Sequence, residues 1–571
     1  MRMKPTIRER IPDRRLTGLH PDPLLNRIFA SRGMRAAEDA DLSLRHLLNP
    51  DTLLHLERAV ELLITAIREQ QRIVVVGDFD CDGATGTAVA VRGLALLGAR
   101  NVMFKVPHRV LHGYGLTPAL VDTLADLRPD LIITVDSGIA CNAGVERANA
   151  LGYRVLVTDH HLPGQRLPPA AAIINPNQPG CRFASKAMAG VGVVFYLLLA
   201  VRKAMRESQM EASDADLSSL LDLVAIGTVA DMVKLDANNR RLVRAGLSRM
   251  NKGMCQPGVK ALLALAGLAP GKITETDIGF RIGPKINAAG RLEDMALGIE
   301  CLLNDDYRSA LSMAESLHAI NQERQAVQHE MLDDAMASVI APSLLGEPAP
   351  AALVLHQPEG HPGVIGLVAS KMKEQWHRPV AVFAPAEPGS DELRGSCRSI
   401  PGFHIRDALA QLDAENPGLI TRFGGHAMAA GLSLPAAHMQ AFTQAFIAIA
   451  EQWLDQDILQ ETLWTDGALD VKAFSRSTAE LLQASGPWGQ GFPAPVFDNV
   501  FDLHSWQVLK EKHLKLQLRI PDSSLLVNAI HFGGYLGAPP PVRLRALYEL
   551  QTNDFREKRD FQCLIRHIEP V

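Results

Sequence analysis

Acidic side chains follow the ends of three predicted β-strands in the first third of the chain. Each strand is a short β-branched run that leads directly into carboxylates. Because the carboxyl ends of parallel strands meet at one edge of a sheet, we expect these acids to lie close together. The three groups are Asp78, Asp80 and Asp82 after Ile73–Gly77, Asp136 after Leu131–Val135, and Asp159 with His160 and His161 after Val155–Thr158.

A fourth acid, Asp231, follows the apolar run Leu223–Ala230. Clustered carboxylates raise one another's pKa values unless cations neutralise them. Carboxylate oxygens with one or two imidazole nitrogens, and no thiolate, suit Mn²⁺ or Mg²⁺ better than zinc. A pair of such ions is a common device for phosphodiester hydrolysis. The sequence therefore predicts a centre that holds two divalent ions.

Each motif also has a simpler interpretation. Asp-x-Asp-x-Asp-Gly opens a calcium loop of the EF-hand type, but that loop needs a Glu at its twelfth position, where Val89 stands. Asp136, taken alone, is as typical of a helix N-cap as of a metal ligand. The convergence of four sites favours the metal centre. No GxxxxGK[ST] phosphate loop occurs, and Gly190-Val191-Gly192 lacks the third glycine of a dinucleotide fingerprint.

The predicted elements would place these residues at a sheet edge. Between Arg72 and Ile174, β-branched runs alternate with helical segments, which predicts a parallel sheet covered on both faces. A mostly helical stretch follows to about Ile340, and the Pro-rich segment Ala341–Ala351 is the clearest linker. A second α/β unit spans about Ala352 to Trp453. Short alternating strands after about Asp455 predict a small β-barrel.

The composition excludes a disordered chain, a collagen and a small disulfide scaffold. The 571 residues suggest three to four domains, and 47% hydrophobic with 21% charged residues is typical of a globular chain. The seven cysteines are scattered, with no CxxC pair, which favours a reducing compartment. The longest apolar stretch, Ala187–Val201, is too short to cross a membrane. We therefore expect a cytoplasmic protein. The net charge of −5, taken alone, would disfavour a nucleic-acid partner. Divalent ions bound at the clustered acids would offset much of that negative charge, so the net charge does not exclude such a partner.

At these residues the chain resembles the DHH phosphoesterase superfamily, and further motifs resemble the bacterial RecJ family of single-stranded-DNA-specific exonucleases within it. These motifs occur in order from about Leu44 to the C-terminus. They include Val-Pro-His-Arg109 with Gly113-Tyr114-Gly115, Gly283-Pro-Lys-Ile-Asn287-Ala-Ala-Gly-Arg291, Gly395-Ser396-Cys-Arg398, Phe423-Gly424-Gly425-His426 and Gly486-Pro-Trp-Gly489.

The resemblance implies a 5′→3′ exonuclease that releases mononucleotides from single-stranded DNA in recombination and repair. It implies that Asp80, Asp82, Asp136, His160 and Asp231 hold the metals, with Asp78 close by, that Asp159 orients the histidines, and that His161 faces the scissile phosphate. It also implies a 5′-phosphate pocket and DNA contacts. Arg109, Ser396 and Arg398 would form that pocket, Gly424, Gly425 and His426 would close over the substrate, and Lys512, Lys515 and residues 556–559 would contact the DNA backbone. Asn287 and Arg291 would either touch the strand or brace the lobes.

The resemblance also implies four regions and a set of partners. The regions are a DHH catalytic domain with the N-terminal region at 1–235, a helical connector at 236–345, a DHH-associated domain at 346–455 and an oligonucleotide-binding (OB) barrel at 456–571. The expected partners are single-stranded DNA, a single-strand-binding protein and a helicase, and the chain is expected to act as a monomer. Two alternatives stay open: a smaller DHH enzyme acting on short oligoribonucleotides, cyclic dinucleotides or pyrophosphate, and a non-catalytic DNA-binding scaffold.

Overall fold

The computed structural model describes residues 4–13, 15–108, 112–344, 350–553 and 560–571. These residues form two compact units. The larger unit contains residues 9–318 and 464–571, and the smaller contains 4–8 and 319–463. The chain opens with strand β1 (Thr6–Glu9), helix α1 (Pro23–Ser31) and helix α2 (Leu56–Arg68).

A five-stranded parallel sheet lies at the centre of the larger unit. Its central strands are buried on both faces because helices cover them, which explains their continuous apolar sequences. The order β3-β2-β4-β5-β6 reverses between β2 and β4, and ligands of such sheets bind where the order reverses. The elements are β2 (Ile73–Val76), α3 (Cys81–Leu96), β3 (Val102–Lys105), α4 (Pro118–Thr123), β4 (Leu131–Val135), α5 (Asn142–Ala150), β5 (Arg154–Thr158), β6 (Ala172–Ile174) and α6 (Gly190–Glu207).

Helices follow the sheet, as the sequence predicts. They are α7 (Leu221–Ala230), α8 (Ala237–Asn251), α9 (Pro257–Leu265), α10 (Glu275–Asp277), α11 (Gly283–Leu292), α12 (Ala296–Leu303) and α13 (Tyr307–Leu344), with a π-helical turn at Ile278–Ile282. The predicted linker Ala341–Ala351 is wrong at its start. Residues 341–344 continue α13, because the preceding run of helix-forming residues carries the helix into the Pro-rich segment, and residues 345–349 lie outside the described chain.

The smaller unit contains a second five-stranded sheet with its own hydrophobic core. Its strand order is β10-β11-β9-β8-β7, and Phe442 stacks on Phe446 inside its core. Its elements are β7 (Leu353–His356), α14 (Ile365–Trp376), β8 (Val380–Pro385), β9 (Glu392–Arg398), α15 (Ile405–Glu415), β10 (Arg422–Gly425), β11 (Ala429–Pro435) and α16 (Met439–Trp453).

The C-terminal strands close into the predicted barrel, in the order β13-β14-β15-β17-β16. The multidomain α/β architecture with a C-terminal OB-like barrel is thereby confirmed, while the exact domain boundaries stay predictions. Strand β12 pairs with β1 outside the barrel. The elements are α17 (Gln456–Leu459), β12 (Thr462–Thr465), α18 (Arg476–Ala484), β13 (Phe497–Leu509), β14 (His513–Arg519), β15 (Leu526–His531), β16 (Arg543–Asn553) and β17 (Asp560–Pro570).

Candidate metal centre

The acidic loop after β2 is held by helix N-termini. Asp80 caps α3, where its Oδ1 accepts the Gly83 N–H at 2.9 Å. Asp82 is buried, and its two oxygens accept the N–H groups of Gly190 at 2.6 Å and Val191 at 3.0 Å. The partial positive charge of a helix N-terminus stabilises such carboxylates. The backbone therefore fixes the direction of both acids.

Asp136 adopts a strained conformation at the end of β4. Its φ of 60° lies in the left-handed region, which residues other than glycine enter rarely and mostly at functional sites. Gly190 packs directly against it, since a Cβ at Gly190 would lie 2.7 Å from Asp136 Oδ1. Only glycine at the start of α6 allows this close approach.

The buried carboxylates converge on His160. Its Nε2 lies 3.0 Å from Asp136 Oδ1, 3.6 Å from Asp231 Oδ2 and 4.0 Å from Asp82 Oδ2. His160 Nε2, Asp136 Oδ1 and Asp231 Oδ2 have no hydrogen-bond partner among the described residues, although all three atoms are buried. Buried polar atoms that face one another in this way fit a shared cation. An oxygen-rich donor set with imidazole suits Mn²⁺ or Mg²⁺.

The potential ligand atoms form overlapping groups, and within each group the atoms lie within 4.8 Å of one another. One group is Asp78, Asp80 and Asp136, a second is Asp82, His160 and Asp231, and a third is Asp136, His160 and His161. Asp136 and His160 each belong to two groups. Shared ligands of this kind allow two ions to sit side by side.

Asp159 lies behind the two histidines and is hydrogen-bonded to both residues. Its Oδ1 accepts the His160 N–H at 2.7 Å and the His161 N–H at 3.1 Å, and it lies 2.8 Å from His161 Nδ1. Its Oδ2 accepts the Ile139 N–H at 2.9 Å. Both oxygens are therefore engaged by protein groups, which is consistent with the orienting role that the family resemblance implies.

Burial and charge from neighbouring groups shift the pKa values of these residues. Burial, reinforced by Asp80, raises the pKa of Asp82 to about 7, and burial likewise raises the pKa values of Asp136 and Asp231. Burial lowers the pKa of His160 to about 4. Burial opposes protonation of His161 as well, but the bond to Asp159 prevails and raises its pKa to about 9. Such shifts are characteristic of functional sites.

Four residues that support the centre carry roles the sequence did not predict. Asn287 Oδ1 accepts the Cys81 N–H at 2.7 Å, so this side chain holds the acidic loop from α11. Asn175 and Asn177 donate to the carbonyls of His161 and His160. The Tyr114 hydroxyl donates to the Asp136 carbonyl at 3.1 Å and its ring meets His161 edge-on. The sequence did point to Tyr114, because this residue lies in the motif Gly113-Tyr114-Gly115.

Comparison with known proteins decides the family. The chain is 44% identical over 578 residues to the single-stranded-DNA-specific exonuclease RecJ of Dickeya dadantii (strain 3937), with 100% of this chain and 99% of that protein covered. It is 45% identical over 556 residues to the RecJ of Escherichia coli (strain K12), covering 96% of each. The chain belongs to the RecJ family. Residues 72–228 match the DHH family N-terminal domain, 349–454 the DHHA1 domain and 465–567 the RecJ OB domain.

A solved RecJ structure shares this fold. The RecJ of Thermus thermophilus in complex with Mn²⁺ superposes with a TM-score of 0.80 at 30% identity, covering 99% of this chain and 79% of that one. A second structure of the same protein was solved with Mg²⁺. The ions named in these two complexes are those that the donor set of this chain favours.

The residues predicted to bind the 5′ phosphate lie partly in the smaller unit. Arg398 on β9 donates to Ser396 Oγ at 3.0 Å and forms no ion pair among the described residues. A Cβ at Gly366, in the first turn of α14, would lie 2.9 Å from Arg398 Nη2 and 3.0 Å from Ser396 Oγ. A guanidinium, a hydroxyl and a helix N-terminus thus meet at one point, which suits an anion. Arg109 lies outside the described residues.

Most of the other predicted DNA contacts are exposed. Gly424, Gly425 and His426 lie at the tip of the hairpin formed by β10 and β11, at the edge of the sheet of the smaller unit. Lys512 and Lys515 are exposed on the barrel, and residues 554–559 lie outside the described chain.

Asn287 and Arg291 are half-buried on α11. They lie four residues apart, and therefore on the same face of that helix.

Among the described residues, no helix is long and apolar enough to cross a membrane.

Proposed function

We propose that this chain is a metal-dependent 5′→3′ exonuclease that hydrolyses single-stranded DNA to 5′-mononucleotides in DNA recombination and repair. The observation that carries the proposal is the convergence of unsatisfied buried atoms of Asp136, His160 and Asp231 at the switch point of the sheet. Membership of a family whose relatives are named single-stranded-DNA-specific exonucleases supports the substrate.

The cofactor is Mn²⁺ or Mg²⁺, and two ions would be held by Asp78, Asp80, Asp82, Asp136, His160 and Asp231. The overlap of the ligand groups at Asp136 and His160 supports a pair of ions. Bound there, the ions would activate a water molecule and offset the charge of the phosphate. The protein contributes fixed ligand directions, because helix N-termini hold Asp80 and Asp82.

His161 would stabilise charge on the phosphate or donate a proton to it. Its ring carries both protons, and is therefore positively charged, at neutral pH, because the bond to Asp159 raises its pKa to about 9 against the effect of burial. Asp159 itself stays ionised, because the bond to His161 lowers its pKa although burial opposes this. A positively charged imidazole beside the metal ligands can therefore stabilise negative charge that develops on a phosphate oxygen.

Contacts to the strand would come from several surfaces. Ser396 and Arg398 would bind a terminal 5′ phosphate, and Arg109 is proposed for the same group from sequence alone. Gly424, Gly425 and His426 would approach the substrate closely, since glycine leaves the backbone accessible. Lys512 and Lys515 would contact the DNA backbone, and Arg291 the strand. We assign Asn287 to holding the acidic loop, because its side-chain oxygen accepts the Cys81 N–H.

The proposal extends to partners and compartment. An exonuclease restricted to single strands depends on proteins that expose and coat them, so a helicase and a single-strand-binding protein are the proposed partners. The proposed metal ligands all belong to one unit of one chain, which supports a monomer. The seven cysteines are free, which supports a cytoplasmic, reducing location.

The direct test is a 5′-phosphorylated single strand labelled at either end and incubated with Mn²⁺ or Mg²⁺, beside a duplex and a dinucleotide. We expect the 5′ label to appear at once as a mononucleotide and the duplex to persist. Cleavage of the dinucleotide alone would instead indicate a smaller-substrate DHH enzyme. Asp136→Ala should abolish cleavage while DNA binding stays within a few-fold of the unmodified protein; retained cleavage would refute the metal assignment.

A further inference from the structure

Asp136 keeps a strained backbone conformation that its neighbours must maintain. Its φ of 60° is one that a residue other than glycine holds only where surrounding groups fix the backbone. Its N–H donates to the Thr158 carbonyl at 3.1 Å. Its own carbonyl accepts the Tyr114 hydroxyl, also at 3.1 Å. Both backbone polar groups of Asp136 are therefore bonded, and one of the two bonds comes from a side chain that can be changed.

Two glycines allow Tyr114 to reach the end of β4. Gly113 and Gly115 have φ values of 75° and 69°, so the backbone is left-handed on both sides of the tyrosine. A Cβ at Gly115 would lie 2.7 Å from Cys141 Sγ and 3.5 Å from Ser137 Cβ, which places this loop directly against the residues that follow β4. The loop therefore has the close approach that the hydroxyl contact requires.

Tyr114 contacts the metal centre through its hydroxyl, although 46% of the residue is exposed. Its ring meets Phe79 and His161 edge-on, with centroids 6.0 Å apart in both pairs. The hydroxyl oxygen also lies 3.4 Å from His161 Nδ1. A tyrosine that served packing alone would bury its ring and keep its polar tip in water. The placement of Tyr114 is the reverse, which indicates a role for the hydroxyl.

Asp136 does not belong to every group of potential ligands. One group that includes it, here called the three-aspartate group, consists of Asp78, Asp80 and Asp136. A group that lacks it, here called the mixed group, consists of Asp82, His160 and Asp231. A change in the direction of Asp136 should therefore affect an ion in the three-aspartate group more than an ion in the mixed group.

We propose that Tyr114 is a positioning residue whose hydroxyl holds Asp136 in the direction that an ion in the three-aspartate group requires. The inference rests on the proposed function and deepens it, because it makes one of the two ions depend on a residue that is not a ligand. Losing a group that orients a metal ligand costs about 10- to 100-fold in metal affinity. The effect should therefore be measurable from ion binding alone, without any DNA.

The test titrates Mn²⁺ into the full chain and into Tyr114→Phe by calorimetry. Phenylalanine keeps the ring and removes only the hydroxyl. We expect one binding step to weaken about tenfold or more and the other to change less than about twofold. Tyr196→Phe is the matched control, because it removes a hydroxyl that donates at 2.7 Å to Asn238, which is not a proposed ligand. It should leave both binding steps unchanged.

Turnover of a 5′-phosphorylated single strand gives a second readout. At limiting Mn²⁺, Tyr114→Phe should lower kcat and leave KM for DNA within about twofold, and added Mn²⁺ should restore the rate. A raised KM with unchanged kcat would make Tyr114 a contact of the strand and overturn the positioning role.

Equal weakening of both binding steps, or the same loss in Tyr196→Phe, would indicate a general loosening of the fold and also overturn it. Unchanged Mn²⁺ binding in Tyr114→Phe would overturn the inference but not the proposed function, since the unmodified chain would still bind Mn²⁺ and cut the strand. An unmodified chain that bound no Mn²⁺ would overturn both.

Discussion

At the scale of single residues, protons and metal ions compete for the same buried carboxylates. Burial, reinforced by Asp80, raises the pKa of Asp82 to about 7, whereas burial lowers that of His160 to about 4. Below about pH 7 an ion must therefore displace a proton from Asp82, while the imidazole of His160 is already neutral and ready to bind. The carboxylates, and not the histidine, should carry the pH dependence of metal binding.

We expect the apparent dissociation constant for Mn²⁺ to rise at least about fivefold as the pH falls from about 7 to about 6, because Asp82, whose pKa is about 7, goes from about half protonated to about nine-tenths protonated. Titration calorimetry in two buffers of different ionisation enthalpy measures both the constant and the number of protons released. A constant that stays flat across this range, with no proton release, would exclude Asp82 as a ligand.

At the scale of elements, the acidic loop depends on close contact with α11. A Cβ at Gly290 would lie 1.9 Å from the Phe79 carbonyl oxygen, and one helical turn earlier Asn287 bonds the Cys81 N–H. Helix α11 therefore supports the loop between Asp78 and Asp82 from outside the sheet. Small displacements of this helix should reach the ligands, since packed interiors transmit strain.

We expect Gly290→Ala to destabilise the larger unit by about 1–3 kcal/mol, as overpacking does, and to weaken Mn²⁺ binding. Thermal unfolding and metal titration measure the two effects. Gly279→Ala is the matched helical control, because its Cβ would meet only Val229 Cγ1, at 3.7 Å. Equal metal affinity in the two variants would contradict the supporting role of α11.

Some of these elements and contacts could be predicted from the sequence and others could not. Asp80, Asp136 and His160 were predictable because each lies within a few residues of a strand end, and parallel strands bring such ends together. The hydrogen bond of Asn287 joins residues 206 positions apart, and no local pattern reports such a contact. The end of α13 was predicted too early. The Pro-rich segment is a local sign of a linker, but the helix that precedes it continues into the segment as far as Leu344.

At the scale of the whole molecule, one carboxylate ties the N-terminal segment to the residues that lead into the barrel. Asp466 bonds the guanidinium of Arg32 through both oxygens, and both side chains are at most 2% exposed. Arg10 Nη1 lies 3.4 Å from the same carboxylate, which also accepts the Val496 N–H at 3.0 Å. No sequence pattern indicated the pair, because its members lie 434 residues apart.

Removing this carboxylate should leave a buried guanidinium without its counter-charge. Breaking one partner of a buried pair costs about 3–5 kcal/mol, whereas an exposed pair contributes at most about 1 kcal/mol. We therefore expect Asp466→Asn to lower the melting temperature of the larger unit by several degrees, and Glu146→Gln, which breaks the exposed pair with Arg166, to leave it nearly unchanged. Differential scanning calorimetry of the full chain measures both. If the two variants melted alike, the pair of Arg32 and Asp466 would not be what holds the N-terminal segment to the residues that lead into the barrel.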